Sequence, residues 1–152
     1  MLDLQPGAVI GGYQIRRKLG QGGMGAVYLA HDHKLEVDRA LKIIALSDSM
    51  LSRVDEQEYR TRFIREARTL ARLRHPGIIA VQVVDEVDNN PYIVMEFFRG
   101  SDLRTWLFDA MPGPDVVLSI GRQIASALAH AHDAAIIHRD LKLSNILINK
   151  NE

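Results

Sequence analysis

Cysteine is absent from this sequence of 152 residues, which excludes disulfide bonds, thiolate zinc sites and cysteine nucleophiles. No apolar run reaches the ~18 residues of a membrane-spanning helix, and residues 1–12 lack the basic and apolar segments of a secretory signal. Neither charge sign is in excess, because Lys plus Arg and Asp plus Glu both number 19. This balance argues against a chain that mainly coats nucleic acid or an anionic membrane. We therefore expect a cytoplasmic location and no nucleic-acid partner.

The residues that are present have the composition of an ordinary globular domain, with 47% apolar and 25% charged residues. Alternating apolar positions and turn residues predict five strands before residue 98, and spacings of three and four predict one helix among them. The later pattern is mainly helical. The predicted strands are 13–19, 26–30, 40–45, 78–87, 92–98 and a short 146–148, and the predicted helices are 55–74, 102–108 and 115–134.

A glycine cluster between the first two predicted strands matches the pattern G-x-G-x-x-G-x-V at Gly20, Gly22, Gly25 and Val27. Glycine lets the backbone approach a phosphate closely, although a flexible hairpin without any ligand would look the same. A dinucleotide-binding fold needs a helix directly after the glycines, whereas a strand follows here. The terminal Gly-Lys-Ser/Thr of a Walker motif is also missing.

Lys42 is the one charge inside the third predicted strand. Taken alone, it reads as an edge-strand lysine that points to solvent. The functional alternative is a lysine that reaches ATP phosphates and is held by a glutamate of the following helix. Glu66 is the candidate for that glutamate, although a solvated helix surface is the ordinary place for a Glu.

The segment His138 to Asn145 matches H-R-D-L-x-x-x-N over eight residues, with Asp140 and Asn145 five positions apart. A match of this length is rare by chance. The segment also follows a helix and lies about 100 residues after Lys42, which is the placement expected if Lys42 and this segment act together on ATP phosphates. It is the most specific motif in the chain.

With these motifs the sequence resembles the protein kinase family, and in particular the eukaryotic-like Ser/Thr kinases of bacteria. The resemblance covers residues 13–149, and Lys142, two positions after Asp140, is typical of the Ser/Thr subgroup. It implies an α+β, protein-kinase-like fold with a five-stranded antiparallel small lobe and one helix over 13–98. A hinge and a truncated, mainly helical large lobe would follow over 99–152, and residues 1–12 would be an N-terminal extension.

The resemblance also implies a nucleotide site for ATP. Lys42 would contact the α- and β-phosphates and pair with Glu66, and Asp102 would reach the ribose. The glycine-rich segment would cover the phosphates with Leu19, Gly20, Gln21, Gly22, Gly23, Met24, Gly25 and Val27. The adenine would be enclosed by Val27, Ala40 and Leu147, backed by Met95, and bonded by the backbone of Glu96 and Phe98.

Three residues of the H-R-D-L-x-x-x-N segment would carry the transfer by the same resemblance. Asp140 would orient a substrate hydroxyl and accept its proton, Lys142 would support the γ-phosphate, and Asn145 would bind one Mg²⁺ ion. The expected substrates are ATP and proteins with Ser or Thr hydroxyls. Such catalysis relies on positioning and charge neutralisation more than on covalent chemistry.

The sequence departs from the family pattern at its end, because no Asp-Phe-Gly segment follows Asn145. We therefore expect an incomplete catalytic domain, inactive or weak alone, whose helix 115–134 needs a missing segment or a partner to cover it. A later segment could anchor a longer protein in a membrane. The alternative is a pseudokinase fragment that binds nucleotide or a partner. The pairs His31/His33 and His130/His132 suggest metal binding only weakly, since positions i and i+2 of a helix face different ways.

Overall fold

The computed structural model describes residues 3–22, 25–44 and 53–149, and the side chains of all of these except 53–56. The chain forms two compact units. The first unit is Met1–Arg72 with Ala80–Phe97, and the second is Leu73–Ile79 with Phe98–Glu152.

An antiparallel sheet forms most of the first unit, and six of its strands lie in the described residues, in the spatial order β1-β2-β3-β4-β6-β5. Strand β1 pairs with the start of β2 at the sheet edge, so part of the predicted N-terminal extension adds a sixth strand to the five expected. The strands are β1 (Val9–Ile10), β2 (Tyr13–Gly22), β3 (Gly25–Asp32), β4 (Val37–Ile43), β5 (Val81–Val87) and β6 (Asn90–Glu96).

Two tight hairpins set the register of this sheet. Gly22 pairs with Gly25 across the β2–β3 connection, so most of the glycine-rich segment belongs to the strands themselves. The β5–β6 connection consists of Asp88 and Asn89, with φ values of 47° and 62°. Positive φ at both central residues is the geometry of a two-residue turn that matches the twist of its strands, and Asp and Asn tolerate it well.

The core of the first unit follows from the alternation along its strands. In β3, the buried Ala26, Tyr28 and Ala30 alternate with the half-buried Val27 and Leu29, as expected for a strand with one face in the core. The buried core residues are Ile10, Ile15, Ala26, Tyr28, Ala30, Leu41, Ile43, Tyr92 and Val94. This cluster leaves the opposite face of β3 and β4 to the candidate site residues.

Helix α1 (Arg53–Leu70) packs against β5 and β6 and buries Ala67. Arg60 Nε donates to Glu86 Oε2 of β5 over 3.0 Å and ties the helix to the sheet. The helix ends before the predicted residue 74, because the Arg72 N–H bonds to the Thr69 carbonyl in a tighter turn.

The second unit contains helix α2 (Leu103–Ala110), helix α3 (Pro114–Asp133) and a 3₁₀ turn at Leu143–Asn145. Strand β7 (Ser101–Asp102) pairs antiparallel with β8 (Leu147–Ile148), so a short strand that the sequence did not predict precedes helix α2. The Leu103 N–H also bonds to the Ile146 carbonyl over 2.7 Å. These bonds join the start of α2 to the end of the 3₁₀ turn.

Gly100 lies where the chain passes β8 at close range. A Cβ atom at this position would lie 2.2 Å from the Ile148 carbonyl oxygen and 2.5 Å from Cε1 of Phe98. Real Cβ atoms do not make such short contacts, so only glycine fits here.

Helix α3 exposes several of its apolar side chains near its start. The exposed fractions are 42% for Val116, 50% for Val117 and 56% for Leu118, whereas Ala131 near its end is buried. Pro114 opens the helix, where its missing N–H costs nothing. No helix in the described part of the chain is both long enough and apolar enough to cross a membrane.

Candidate active site

The H-R-D-L-x-x-x-N segment folds into a small hydrogen-bonded ring around the Asp140 carboxylate. Lys142 Nζ lies 2.9 Å from Asp140 Oδ2. Asn145 Nδ2 donates to the same Oδ2 and to the Asp140 carbonyl oxygen, both over 2.9 Å. The structure therefore brings together three residues that the sequence predicts to carry the chemistry.

The backbone of this segment is bent by two local features. Arg139 has a φ of 62°, a left-handed conformation that is uncommon for a residue with a side chain. The Asp140 N–H bonds to the His138 carbonyl over 2.9 Å, and the Asn145 N–H bonds to the Lys142 carbonyl over 2.9 Å. Such strain is typical of functional sites, where the surrounding bonds hold it in place.

The ring also sets the charge of the carboxylate. The hydrogen bonds from Lys142 and Asn145 lower the pKa of Asp140 below its ordinary value, and the nearby positive charges act in the same direction. Asp140 is thus a carboxylate at neutral pH. Its side chain is 64% exposed, so the carboxylate is accessible from solvent.

Asn145 offers one oxygen ligand, Oδ1, of the kind that a hard cation prefers. Both partners of its Nδ2 are oxygen atoms, so the amide orientation is determined and the carbonyl oxygen Oδ1 points away from them. Amide oxygen, carboxylate and phosphate oxygens are suitable ligands for Mg²⁺. No group of three His, Asp or Glu side chains suited to a metal occurs among the described residues.

The glycine-rich hairpin, which is formed by residues 19–22 of β2 and 25–27 of β3, contains two kinds of glycine. Gly25 has a φ of 138°, and a Cβ there would lie 2.1 Å from the Ile43 carbonyl oxygen, so the fold itself requires glycine. A Cβ at Gly20 or Gly22 would meet no other described atom within 4 Å. Neither crowding nor backbone conformation in the protein explains these two glycines. Gly23 and Met24 lie outside the described residues.

Lys42 shares one face of the sheet with other predicted site residues. It pairs with Val27 of β3, and Ala40, two residues earlier in β4, pairs with Met95 of β6. Because paired and alternate residues point to the same side, these four side chains line one face. The sheet register therefore brings together a cation and three apolar side chains that lie apart in the sequence.

Glu66 is not paired with Lys42 in this structure. Its Oε1 accepts a hydrogen bond from Arg62 Nε over 3.0 Å, one turn earlier on α1, and its side chain is 56% exposed. The Glu66–Lys42 ion pair expected from the sequence is therefore absent, and the Glu66 carboxylate bonds to Arg62 of the same helix instead.

Comparison with known proteins identifies the family of this chain. The family model described as the protein kinase domain matches residues 13–152 of the chain. The chain belongs to the protein kinase family. PknF of Mycobacterium tuberculosis is named a serine/threonine-protein kinase and is 42% identical to this chain over a 151-residue alignment. The alignment covers 97% of this chain and 30% of PknF. PrkC of Bacillus subtilis, which carries the same description, is 41% identical over 142 residues, 93% of this chain and 21% of PrkC.

Solved kinase structures confirm the predicted fold class. The PknI kinase domain of M. tuberculosis is 33% identical, with a TM-score of 0.79 over 97% of this chain and 58% of that domain. A structure described as the apo form of PpkA-294 is 29% identical, with a TM-score of 0.80 over 98% of this chain and 58% of its own. The chain thus spans less than a third of these two curated relatives and under two thirds of these two solved chains.

The residues expected to face the adenine are divided between the two units of the chain. In the first unit, the Glu96 N–H is bonded to the Ala80 carbonyl over 2.9 Å, so Glu96 could bond a base only through its own carbonyl. Leu19 is 37% exposed on β2. In the second unit, Phe98 is half-buried, and Leu147 of β8 pairs with Asp102 and is 46% exposed.

Asp102 has a second role that the sequence interpretation did not assign to it. Its carboxylate caps helix α2 by accepting bonds from the Thr105 N–H over 3.0 Å and the Thr105 hydroxyl over 2.7 Å. These bonds lower the pKa of Asp102. The signal was present in the sequence, since an Asp directly before a predicted helix is a common N-cap.

The two histidine pairs belong to no group of three or more metal-ligating side chains among the described residues. His31 Nδ1 lies 3.2 Å from Asp38 Oδ1, and His33 Nε2 lies 3.2 Å from Gln14 Oε1. His130 stacks on His75, with 5.4 Å between the ring centroids.

Proposed function

We propose that this chain carries the nucleotide-binding and phosphoryl-transfer residues of an ATP-dependent protein serine/threonine kinase that acts in the cytoplasm. The observation that carries the proposal is the ring formed by Asp140, Lys142 and Asn145, with its three contacts of 2.9 Å. A carboxylate held in this way is oriented but exposed, which suits the positioning of a hydroxyl.

Asp140 acts in this proposal by orientation more than by basicity. A carboxylate with a lowered pKa is a weak base, so it contributes little to the early removal of a proton. It can still accept a hydrogen bond from a Ser or Thr hydroxyl and turn the oxygen lone pair toward the γ-phosphate. The hydroxyl proton passes to the carboxylate as the new O–P bond forms, while the bond between the γ-phosphorus and the β–γ bridging oxygen breaks and ADP leaves.

Lys142 and Asn145 act on the phosphate side of the same reaction. Lys142 brings a positive charge to the carboxylate and can share it with the γ-phosphate as charge shifts during transfer. Asn145 would hold Mg²⁺ through Oδ1, and the ion would neutralise phosphate charge when bound.

The glycine-rich hairpin and Lys42 are proposed to hold the ATP phosphates. The open space around Gly20 and Gly22 supports this role, because glycine at these positions serves no packing or conformational need of the protein. Lys42 adds a cation on the sheet face that carries Val27, Ala40 and Met95. These apolar side chains would contact the adenine.

Phosphoryl transfer to a protein substrate tests the proposal, measured with radiolabelled ATP in the longest chain that carries this sequence. Lys42→Met should abolish most of the transfer, whereas the matched change Lys34→Met, at an exposed lysine of the β3–β4 turn, should leave it unchanged. Equal transfer in Lys42→Met and in the unmodified protein would overturn the assignment of Lys42.

A second candidate function is nucleotide or partner binding without transfer, as in a pseudokinase. The observation that favours it is the pairing of Glu66 with Arg62, which leaves Lys42 without its expected carboxylate. Calorimetry of ATP binding with and without Mg²⁺ separates the candidates when it is combined with the transfer assay. Binding without transfer in the longest chain would support the pseudokinase, and no binding at millimolar ATP would leave only a partner-binding role.

A further inference from the structure

The segment before the sheet is bound firmly to the first unit rather than trailing from it. The Gly7 N–H donates to the Ile15 carbonyl, and the Ile15 N–H donates to the Ala8 carbonyl, both over 2.8 Å. The Leu4 N–H donates to the Tyr28 hydroxyl over 3.2 Å, and the Leu4 side chain packs against the core. These contacts bring Asp3 to the end of β2 that leads into the glycine-rich hairpin.

Lys18 connects this N-terminal segment to the hairpin. Its Nζ lies 2.6 Å from Asp3 Oδ1 and donates to Gln21 Oε1 over 3.0 Å. The same ammonium lies 5.8 Å from the centre of the Tyr28 ring, within cation–π range. One cation thus holds a residue of the N-terminal segment, a core aromatic ring and a residue of the glycine-rich segment.

The backbone of β2 is adapted to this arrangement. Its pairing with β3 shifts register between Ile15 and Arg17 and again between Lys18 and Gly20. Such irregularities change the direction of a strand and redirect its side chains. Lys18 lies between the two shifts, with its ammonium over the Tyr28 ring and bonded to Gln21.

We propose that Lys18 is a positioning residue for the glycine-rich hairpin, held by Asp3 and acting through Gln21. Gln21 lies between Gly20 and Gly22, which have no side chain to restrain them. Glycine loses more conformational freedom on ordering than any other residue, so a side-chain link beside it limits the states that the hairpin samples. The consequence for nucleotide binding rests on the proposed function, whereas the ordering of the hairpin does not.

The charges of the pair are consistent with this link. The hydrogen bond from Lys18 lowers the pKa of Asp3, and the bond to Asp3 raises the pKa of Lys18. Both groups are therefore charged at neutral pH. The side chains are partly exposed, at 35% for Lys18 and 60% for Asp3, so the link is expected to be modest and sensitive to salt.

Amide hydrogen exchange of the hairpin tests the proposal without any nucleotide. In Asp3→Asn and in Lys18→Gln, the amides of residues 19–22 and 25–27 should exchange about two- to fivefold faster than in the unmodified chain. Asp3→Glu, which keeps the charge, should restore slow exchange. Glu86→Gln removes another ion pair of the first unit, with Arg60, and should leave the hairpin unchanged.

Unchanged hairpin exchange in both Asp3→Asn and Lys18→Gln would overturn the proposal. A carbon-13 titration of the Asp3 carboxyl provides a second readout, since Lys18→Gln should return its pKa toward the ordinary value. Unfolding curves of each variant confirm that the chain remains folded, which is expected because both side chains are partly exposed.

ATP affinity of the same variants separates this proposal from the proposed function. If the unmodified chain binds ATP, Asp3→Asn should weaken binding by about two- to fivefold, while Glu86→Gln should not. If no chain binds ATP, the nucleotide role fails, and the exchange experiment still decides whether Lys18 orders the hairpin.

Discussion

The side-chain amide of Asn145 donates to both the carbonyl and the carboxylate of Asp140, over 2.9 Å in each case. Two residues five positions apart thereby close a ring that would otherwise be an open loop. The ring orients the carboxylate and leaves the amide oxygen for a cation. One asparagine thus holds the carboxylate proposed to orient a substrate and carries the amide oxygen proposed to bind the metal ion.

Removing this amide should impair transfer strongly. In the longest chain that carries this sequence, Asn145→Ala should lower kcat at least about 10²-fold, because both the carboxylate and the metal ligand lose their position. The matched change Gln123→Ala, at an exposed amide of α3, should leave kcat unchanged. Similar kcat values for the two variants would contradict the role of Asn145.

The charge state of Asp140 should depend on Lys142. The pKa of Asp140 is lowered in the folded protein, so its bonds stabilise the fold at pH values above the ordinary Asp pKa, and this contribution disappears as the pH falls through the lowered value. Transfer should therefore show no loss due to Asp140 between about pH 6 and 8. A carbon-13 titration of Asp140 in Lys142→Met should show its pKa moving up toward the ordinary value, and an unchanged pKa would exclude the contact in solution.

The glycines of the hairpin should respond differently to the same substitution. Gly25→Ala should destabilise the fold by about 1–3 kcal/mol, because the new Cβ collides with the Ile43 carbonyl and the φ of 138° is strained for alanine. Gly20→Ala should change the stability by less than about 1 kcal/mol but weaken ATP binding. Urea unfolding and calorimetry on both variants measure the contrast, and equal unfolding free energies would refute it.

Asp102 should separate helix capping from nucleotide binding. Asp102→Ala removes the bonds to Thr105 and should lower the midpoint of thermal unfolding by a few degrees. Asp102→Asn preserves a good N-cap and should keep that midpoint, while it removes the charge proposed to reach the ribose. If Asp102→Asn unfolds as early as Asp102→Ala, charge rather than capping stabilises α2.

Much of the fold could be predicted because its signals are local. Alternating apolar residues identified β2, the turn residues 88–91 marked the β5–β6 connection, and spacings of three and four identified α1 and α3. The boundaries differed where longer-range bonds intervene. Strand β1 is only two residues long, too short for any periodicity, and exists because β2 offers it a partner.

The sequence by itself determined the family and the order of the chemical groups. Asp140, Lys142 and Asn145 lie within five positions of one another, so the contacts of their ring are local ones. Tertiary structure alone decided which groups meet across long separations. It pairs Ala40 with Met95, requires glycine at position 100, and brings Asp3 to Lys18. The physical reason is that local spacing constrains atoms a few residues apart, whereas distant contacts depend on strand register and packing, which are properties of the whole fold.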